Sequence, residues 1–139
     1  MALSQLHSIV VDCARPAALA RFWAAALGYT IRPYDRAEVD RLAALGHTVE
    51  DDPSVVIDPP GEGPTVWFNR VPESKVVKNR MHLDVSLESL AAVDALVGLG
   101  ATVLRRPGAG DADGDGGDVR WFVMVDPEGN EFCVFPPKA

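Results

Sequence analysis

Only two cysteines occur in the 139 residues, Cys13 and Cys133. That is too few for the disulfide framework of a small secreted domain, so a reduced, cytoplasmic chain is expected. Positive charge is also scarce: thirteen Lys and Arg stand against twenty Asp and Glu, a net charge of −7. This balance argues against non-specific nucleic-acid binding and against anionic membrane surfaces. No run is long and apolar enough to span a bilayer. The opening MALSQLHSIVVD carries no basic n-region and passes straight into a strand pattern, so no signal peptide is expected. The rest is ordinary globular composition, 47% hydrophobic and 24% charged. The length suits one domain, or two small repeated halves sharing a core.

Repetition is the main positive signal. SIVVDC (8–13) reads as a strand, and an Ala-rich helix follows with Pro16 placed to open it and Gly28 to close it. Leu19, Phe22, Trp23, Ala26 and Leu27 give that helix one buried stripe. The second half opens with HLDVSL (82–87) and a helix over ESLAAVDALVGLG (88–100), its stripe being Leu90, Val93, Leu96 and Val97. Each half then carries a D-P-x-G turn, at Asp58–Gly61 and at Asp126–Gly129, between strand-like runs. Strand, helix, three strands therefore occurs twice. An inserted helix is expected over DRAEVDRLAALG (35–46), where Asp35 and Glu38 have capping-box spacing. In GAGDADGDGGD (108–118), Asp111, Asp113, Asp115 and Gly116 match the opening of an EF-hand loop. The twelfth position, which needs a bidentate Glu, holds Phe122 and no helices flank the run, so a solvated hairpin loop is expected.

In DPEGNEFCVF (126–135), Glu131 and Cys133 are two apart and share a strand face. Together with VVDCARPAALARFWAAALGY (10–29) and FNRVPESKVVKNRMHLDV (68–85), this stretch resembles the vicinal oxygen chelate superfamily, and within it the glyoxalase-like domain proteins. The resemblance implies an α+β fold of two βαβββ modules. Their strands form a curled mixed sheet around a cleft with helices on the outer face, often completed in a homodimer. The whole chain, 1–139, is then one glyoxalase-like domain, with module 1 at about 5–73, a linker at 74–79 and module 2 at about 80–137. Superfamily members include isomerases, epimerases, ring-cleaving dioxygenases, thiol transferases and drug-sequestering proteins, and fold alone does not choose among them.

Metal-dependent members of the superfamily take one ligand from the first and one from the last strand of each half. Carried onto this chain, those positions fall on Ser8, Asn69, His82 and Cys133. Ser and Asn are poor transition-metal donors, so the expectation is no cofactor and no catalytic metal. A shifted alignment that restores His7 and brings Glu131 inward gives a rival divalent-metal set of His7, His82, Glu131 and Cys133. Alternation places Ser8, Val10 and Asp12, and His82, Asp84 and Ser86, on the cleft side. Asp12, Asp84, His82 and Glu131 are thus the candidate acid–base residues, since crowded carboxylates shift one another's pKa. Trp67, Trp121 and Phe135 are candidate walls beside Ser8, Asn69 and Cys133. The basic run PESKVVKNR (72–80), with Lys75, Lys78 and Arg80, is expected either to attract an anionic ligand or to serve as a solvated linker packed across a dimer seam. The expected function is binding of a small organic molecule with acid–base, lyase- or isomerase-type activity. The rivals are a metal-dependent lyase, isomerase or dioxygenase, and a drug-sequestering protein of the bleomycin-resistance type. A homodimer is expected, with no nucleic-acid or membrane partner.

Overall fold

Alternating apolar residues build two four-stranded sheets, one in each of two units, Met1–Ser74 and Lys75–Ala139. The computed structural model describes residues 2–108 and 120–137, so the acidic loop at 108–118 lies, from residue 109 on, outside the described residues. The first unit runs β1 (Ser8–Cys13), α1 (Pro16–Leu27), β2 (Thr30–Ile31), α2 (Arg36–Ala44), β3 (Ser54–Asp58) and β4 (Thr65–Arg70). The second runs β5 (Asp84–Ser86), α3 (Ala92–Gly98), β6 (Thr102–Arg105), β7 (Phe122–Val125) and β8 (Glu131–Phe135). Both sheets are mixed and open: β1-β4-β3-β2 and β5-β8-β7-β6, with the first pair parallel and the others antiparallel. The class is α+β, with the strand–helix–three-strand order repeated and α2 inserted in the first copy.

In the first unit, α1 begins at Pro16, whose missing N–H is no loss in a first turn, and ends at Gly28 in the left-handed region, φ 68°. Its buried face is Leu19, Ala20, Phe22 and Trp23, and it packs on β3 and β4, whose Val55, Ile57, Val66 and Phe68 are buried. Phe22 and Trp23 meet edge to face with centroids 5.2 Å apart. Cys13 is part of this core, its thiol donating to the Asn69 carbonyl at 3.6 Å. The insertion helix α2 is capped as its spacing requires, Asp35 Oδ1 accepting from Glu38 N at 2.8 Å. It buries only Leu42. The chain after it is tied back by Arg21–Glu50 (2.7 Å) and by the Tyr34 hydroxyl donating to buried Asp52 (2.7 Å).

The second unit departs from expectation at its helix. Residues 88–91 are not α-helical: Ala92 N bonds Ser89 O and Val93 N bonds Leu90 O, three-residue turns without a side-chain cap. The tighter winding takes Leu90 off the buried stripe. Leu90 is 60% and Val97 45% exposed, while Val93 and Leu96 alone of the expected four are buried. The other half of this core is Phe122, Met124, Phe132 and Val134, one face of β7 and β8. The two D-P-x-G turns also differ. Asp126 is buried and its carboxylate accepts from the backbone N–H of Glu128 and Asn130 and from the Asn130 amide. Asp58 instead forms a two-pronged ion pair with Arg32, at 2.9 and 2.7 Å.

Candidate functional site

Because the core takes one face of β7 and β8, the opposite face of the second sheet is left to other work, and register says which residues it holds. Asp84 pairs with Cys133, Cys133 with Val123 and Val123 with Arg105, one row across all four strands. The neighbouring rows hold Ser86 with Phe135, and Glu131 with Val125 and Thr102. Trp121 stacks on Phe135, centroids 5.5 Å apart and planes at 29°. These two candidate wall residues therefore stand together beside Cys133.

His82 precedes β5, and its Nε2 lies 3.2 Å from Asp84 Oδ1, with side chains 43% and 57% exposed. The strand continues the ladder from this point, Cys133 N donating to Leu83 O. Imidazole, carboxylate and thiol thus meet: the donor atoms of His82, Asp84 and Cys133 all lie within 4.8 Å of one another, the group of this kind found among the described residues. The Cys133 thiol is pushed up from its ordinary pKa by burial and by the Asp84 charge. A hydrogen bond from Trp121 and the charge of Lys78 partly oppose this.

Glu131 is on the same face but in different company. Its carboxylate accepts from Lys75 Nζ at 3.1 Å and from Asn79 N–H at 3.0 Å, and its side chain is 18% exposed. Lys75 donates as well to the Val77 carbonyl. Led by the Asn79 N–H bond, these partners hold the Glu131 pKa down at about 2. Such a carboxylate is a fixed anchor for residues 75–79 rather than a proton acceptor at neutral pH. Most of the expected linker is thereby drawn into the second unit. The carboxylate grouped with His82 and Cys133 is Asp84, where the rival metal set had Glu131. Arg80 is exposed.

The first sheet repeats the pattern in weaker form. Ser8 pairs with Thr65, Val10 with Trp67, and Asp12 with Asn69, on the face opposite Val66 and Phe68. Ser54 Oγ donates to Asn69 Oδ1 at 2.6 Å, and the Arg32 guanidinium lies 5.7 Å from the Trp67 ring centroid. Asp12 is exposed, and His7 Nδ1 lies 3.4 Å from Ser8 Oγ.

The His82–Asp84–Cys133 group suits a borderline or soft cation. Zinc takes imidazole, carboxylate and thiolate at about 2.0–2.3 Å, and small side-chain adjustments would bring these three donors around one ion. Holding a cation there would require the Cys133 thiol to give up its proton.

A sequence model of the glyoxalase-like domain matches residues 8–135. The chain therefore belongs to the glyoxalase-like domain family, within the class of glyoxalase, bleomycin-resistance and dioxygenase proteins. Solved structures agree at the level of fold. A glyoxalase/bleomycin resistance protein/dioxygenase family enzyme from Burkholderia phytofirmans is 18% identical, with 94% of this chain and 97% of that chain covered and a TM-score of 0.56. A possible glyoxalase from Bacillus cereus is 17% identical, with coverage of 96% and 99% and a TM-score of 0.57. A mutant of the fosfomycin resistance protein FosX from Listeria monocytogenes, solved with Mn(II) and 1S,2S-dihydroxypropylphosphonic acid, is 12% identical, with coverage of 99% and 93% and a TM-score of 0.60. No curated protein matches the sequence. No helix among the described residues is long and apolar enough to cross a membrane.

Several features of the site were not readable from residue order. The Lys75–Glu131 contact joins residues 56 positions apart. Arg105 reaches the Cys133 row only through a register shift in β6. The pairing of Asp84 with Cys133 was not readable either, because β5 and β8 are parallel and no turn joins them to set the register.

Proposed function

We propose that the protein binds a small organic molecule against the open face of the second sheet and performs lyase- or isomerase-type acid–base chemistry on it without a resident metal. The observation that carries this reading is the exposed His82–Asp84 pair at 3.2 Å, set beside Cys133 and the Trp121–Phe135 stack. With Asp84 accepting from Nε2–H, the other imidazole nitrogen carries the lone pair. His82 then takes a proton from an acidic C–H or O–H of the ligand. Asp84 stabilises the resulting imidazolium, and the proton returns to a different ligand atom or to the departing group. The aromatic pair supplies a wall for the ligand's body. Asp12, Ser8, Trp67 and Asn69 enter the proposal as the polar and aromatic residues of the first unit's open face. A cytoplasmic homodimer is part of the same reading.

One observation favours a second reading, namely the convergence of three metal donors. There, His82, Asp84 and Cys133 would hold a divalent cation, which would supply Lewis-acid polarisation of a ligand oxygen. FosX with its Mn(II) and dihydroxypropylphosphonic acid is a fold relative in which metal and ligand occur together.

The experiment is a small-molecule binding screen followed by a search for product, run on wild type and on His82→Ala, with metal content measured on the same chelator-free preparations. Turnover by the wild type, lost by a factor of at least 10²–10³ in His82→Ala while binding persists, is the expected result. Ligand returned unchanged by the wild type makes this a sequestering protein. A stoichiometric metal that disappears in His82→Ala selects the second reading.

A further inference from the structure

The open face of the first sheet carries an aromatic ring with polar groups fixed around it. In β4, Trp67 and Asn69 are two apart and lie on the face opposite buried Val66 and Phe68. Val10 pairs with Trp67 and Asp12 with Asn69, and both of these β1 residues are exposed. An apolar row, Val10 and Trp67, thus runs beside a polar one, Asp12 and Asn69. Val10 is 54% exposed beside the half-buried indole, so an apolar body laid there would remove both from water.

Two donors on this face are held in place by the contacts they already make. The Arg32 guanidinium gives its Nε and Nη2 to the Asp58 carboxylate, at 2.9 and 2.7 Å, and lies 5.7 Å from the Trp67 ring centroid. Its Nη1 has no hydrogen-bond partner among the described residues, and the side chain is 49% exposed. The Asn69 amide is fixed at its oxygen, which accepts from Ser54 Oγ at 2.6 Å. Its Nδ2 has no partner among the described residues either. Nη1 and Nδ2 each carry two N–H groups and accept nothing, so both call for acceptor atoms. Because both side chains are restrained before any ligand arrives, binding costs less of their rotamer freedom. The Arg32 charge is matched by Asp58, which leaves Asp12 as the charge that an approaching ligand meets. An anion is disfavoured by that charge.

We propose that this face is a binding site in its own right for an uncharged, planar aromatic carbonyl compound, an aryl ketone or an aromatic lactam. Its ring lies against Trp67 and Val10, and its oxygen acceptors take N–H bonds from Arg32 Nη1 and Asn69 Nδ2. The same ring without a carbonyl leaves both donors to water and gains only the apolar contact. The same ring with a carboxylate meets Asp12. This inference rests on the part that the proposed function gives to Asp12, Trp67 and Asn69 and names the ligand chemistry for them. It requires nothing of His82 or Asp84.

The test uses matched sets built on one ring: the aryl ketone or lactam, its methylene analogue and its carboxylate. Binding is followed by NMR at the Trp67 indole N–H and the Val10 methyls, with the Trp121 indole N–H reporting on the second unit. Four proteins are compared, each with its thermal midpoint. They are wild type, Arg32→Lys, Asn69→Asp and the remote control Arg21→Gln. Lysine keeps a charge for Asp58 but has no second edge, and aspartate keeps an acceptor for Ser54 but has no N–H. The carbonyl compounds shift Trp67 and Val10, and their methylene and carboxylate matches bind roughly tenfold more weakly or worse. Arg32→Lys and Asn69→Asp each lose roughly fivefold or more in affinity at unchanged midpoint, and Arg21→Gln behaves as wild type. If methylene analogues or carboxylates bind as well as the carbonyl compounds, or if either variant binds those compounds as wild type does, the ligand class is overturned. If the compounds shift Trp121 alone, the first-unit site falls while the second sheet's binding face stands. If nothing moves Trp67 or Val10 in folded protein, the inference falls, and the His82 chemistry still stands or falls on turnover in its own screen.

Discussion

Glu131 shows how much a single residue's role depends on partners far away in the chain. Alternation alone places it on the open face with Cys133, and that much holds in the β8 register. Its chemistry is set by Lys75 and the Asn79 N–H, neither of which the strand pattern points to. A carboxylate whose pKa falls from 4.5 to about 2 on folding contributes stability that is complete above about pH 4.5 and is lost as pH drops through about 2. Glu131→Gln is therefore expected to lower the denaturant midpoint at pH 7 and to flatten the acid side of the stability profile between pH 4.5 and pH 2. Wild type and variant should converge near pH 2. Chemical unfolding measured across that range checks it, and equal midpoints at pH 7 would remove the anchor role. His82 and Cys133 were legible at this scale because each sits at a family position that strand counting reaches. The exchange of Glu131 for Asp84 in the donor group was not, because it turns on a side-chain contact.

At the scale of elements, helix ends with strong local chemistry were readable and helix ends without it were not. Pro16, Gly28 and the Asp35–Glu38 cap fix α1 and α2 where their residue types put them. The start of α3 has no capping side chain, and three-residue turns replace its first α-turn. The consequence is testable. Leu96→Ala should cost about 2–4 kcal/mol, since it opens a cavity in the second unit's core. Leu90→Ala should change stability by no more than about 0.5 kcal/mol, because that side chain already meets solvent. Urea unfolding of the two variants decides between this helix and the longer one that periodicity suggests, for which both losses would be large. The β6 bulge belongs to the same class of hidden feature. Nothing in TVLR announces a register shift, which arises from the pairing of β6 with β7.

For the whole molecule, duplication was the strongest signal, because two copies of one strand–helix–strand order leave few folds open. The family match over residues 8–135 and the repeated mixed sheets agree with it. Function is less legible at this scale, since the same fold carries catalysis and sequestration alike. The central claim is that His82 and Asp84 act on an organic molecule directly. A crystal structure of protein purified without chelator, with anomalous data and a bound ligand from the binding screen, tests it in one step. The account predicts the His82–Asp84 hydrogen bond intact, with the ligand's body over Val123 and Cys133 and no anomalous peak beside them. A metal ion within about 2.0–2.3 Å of His82, Asp84 and Cys133 would contradict it.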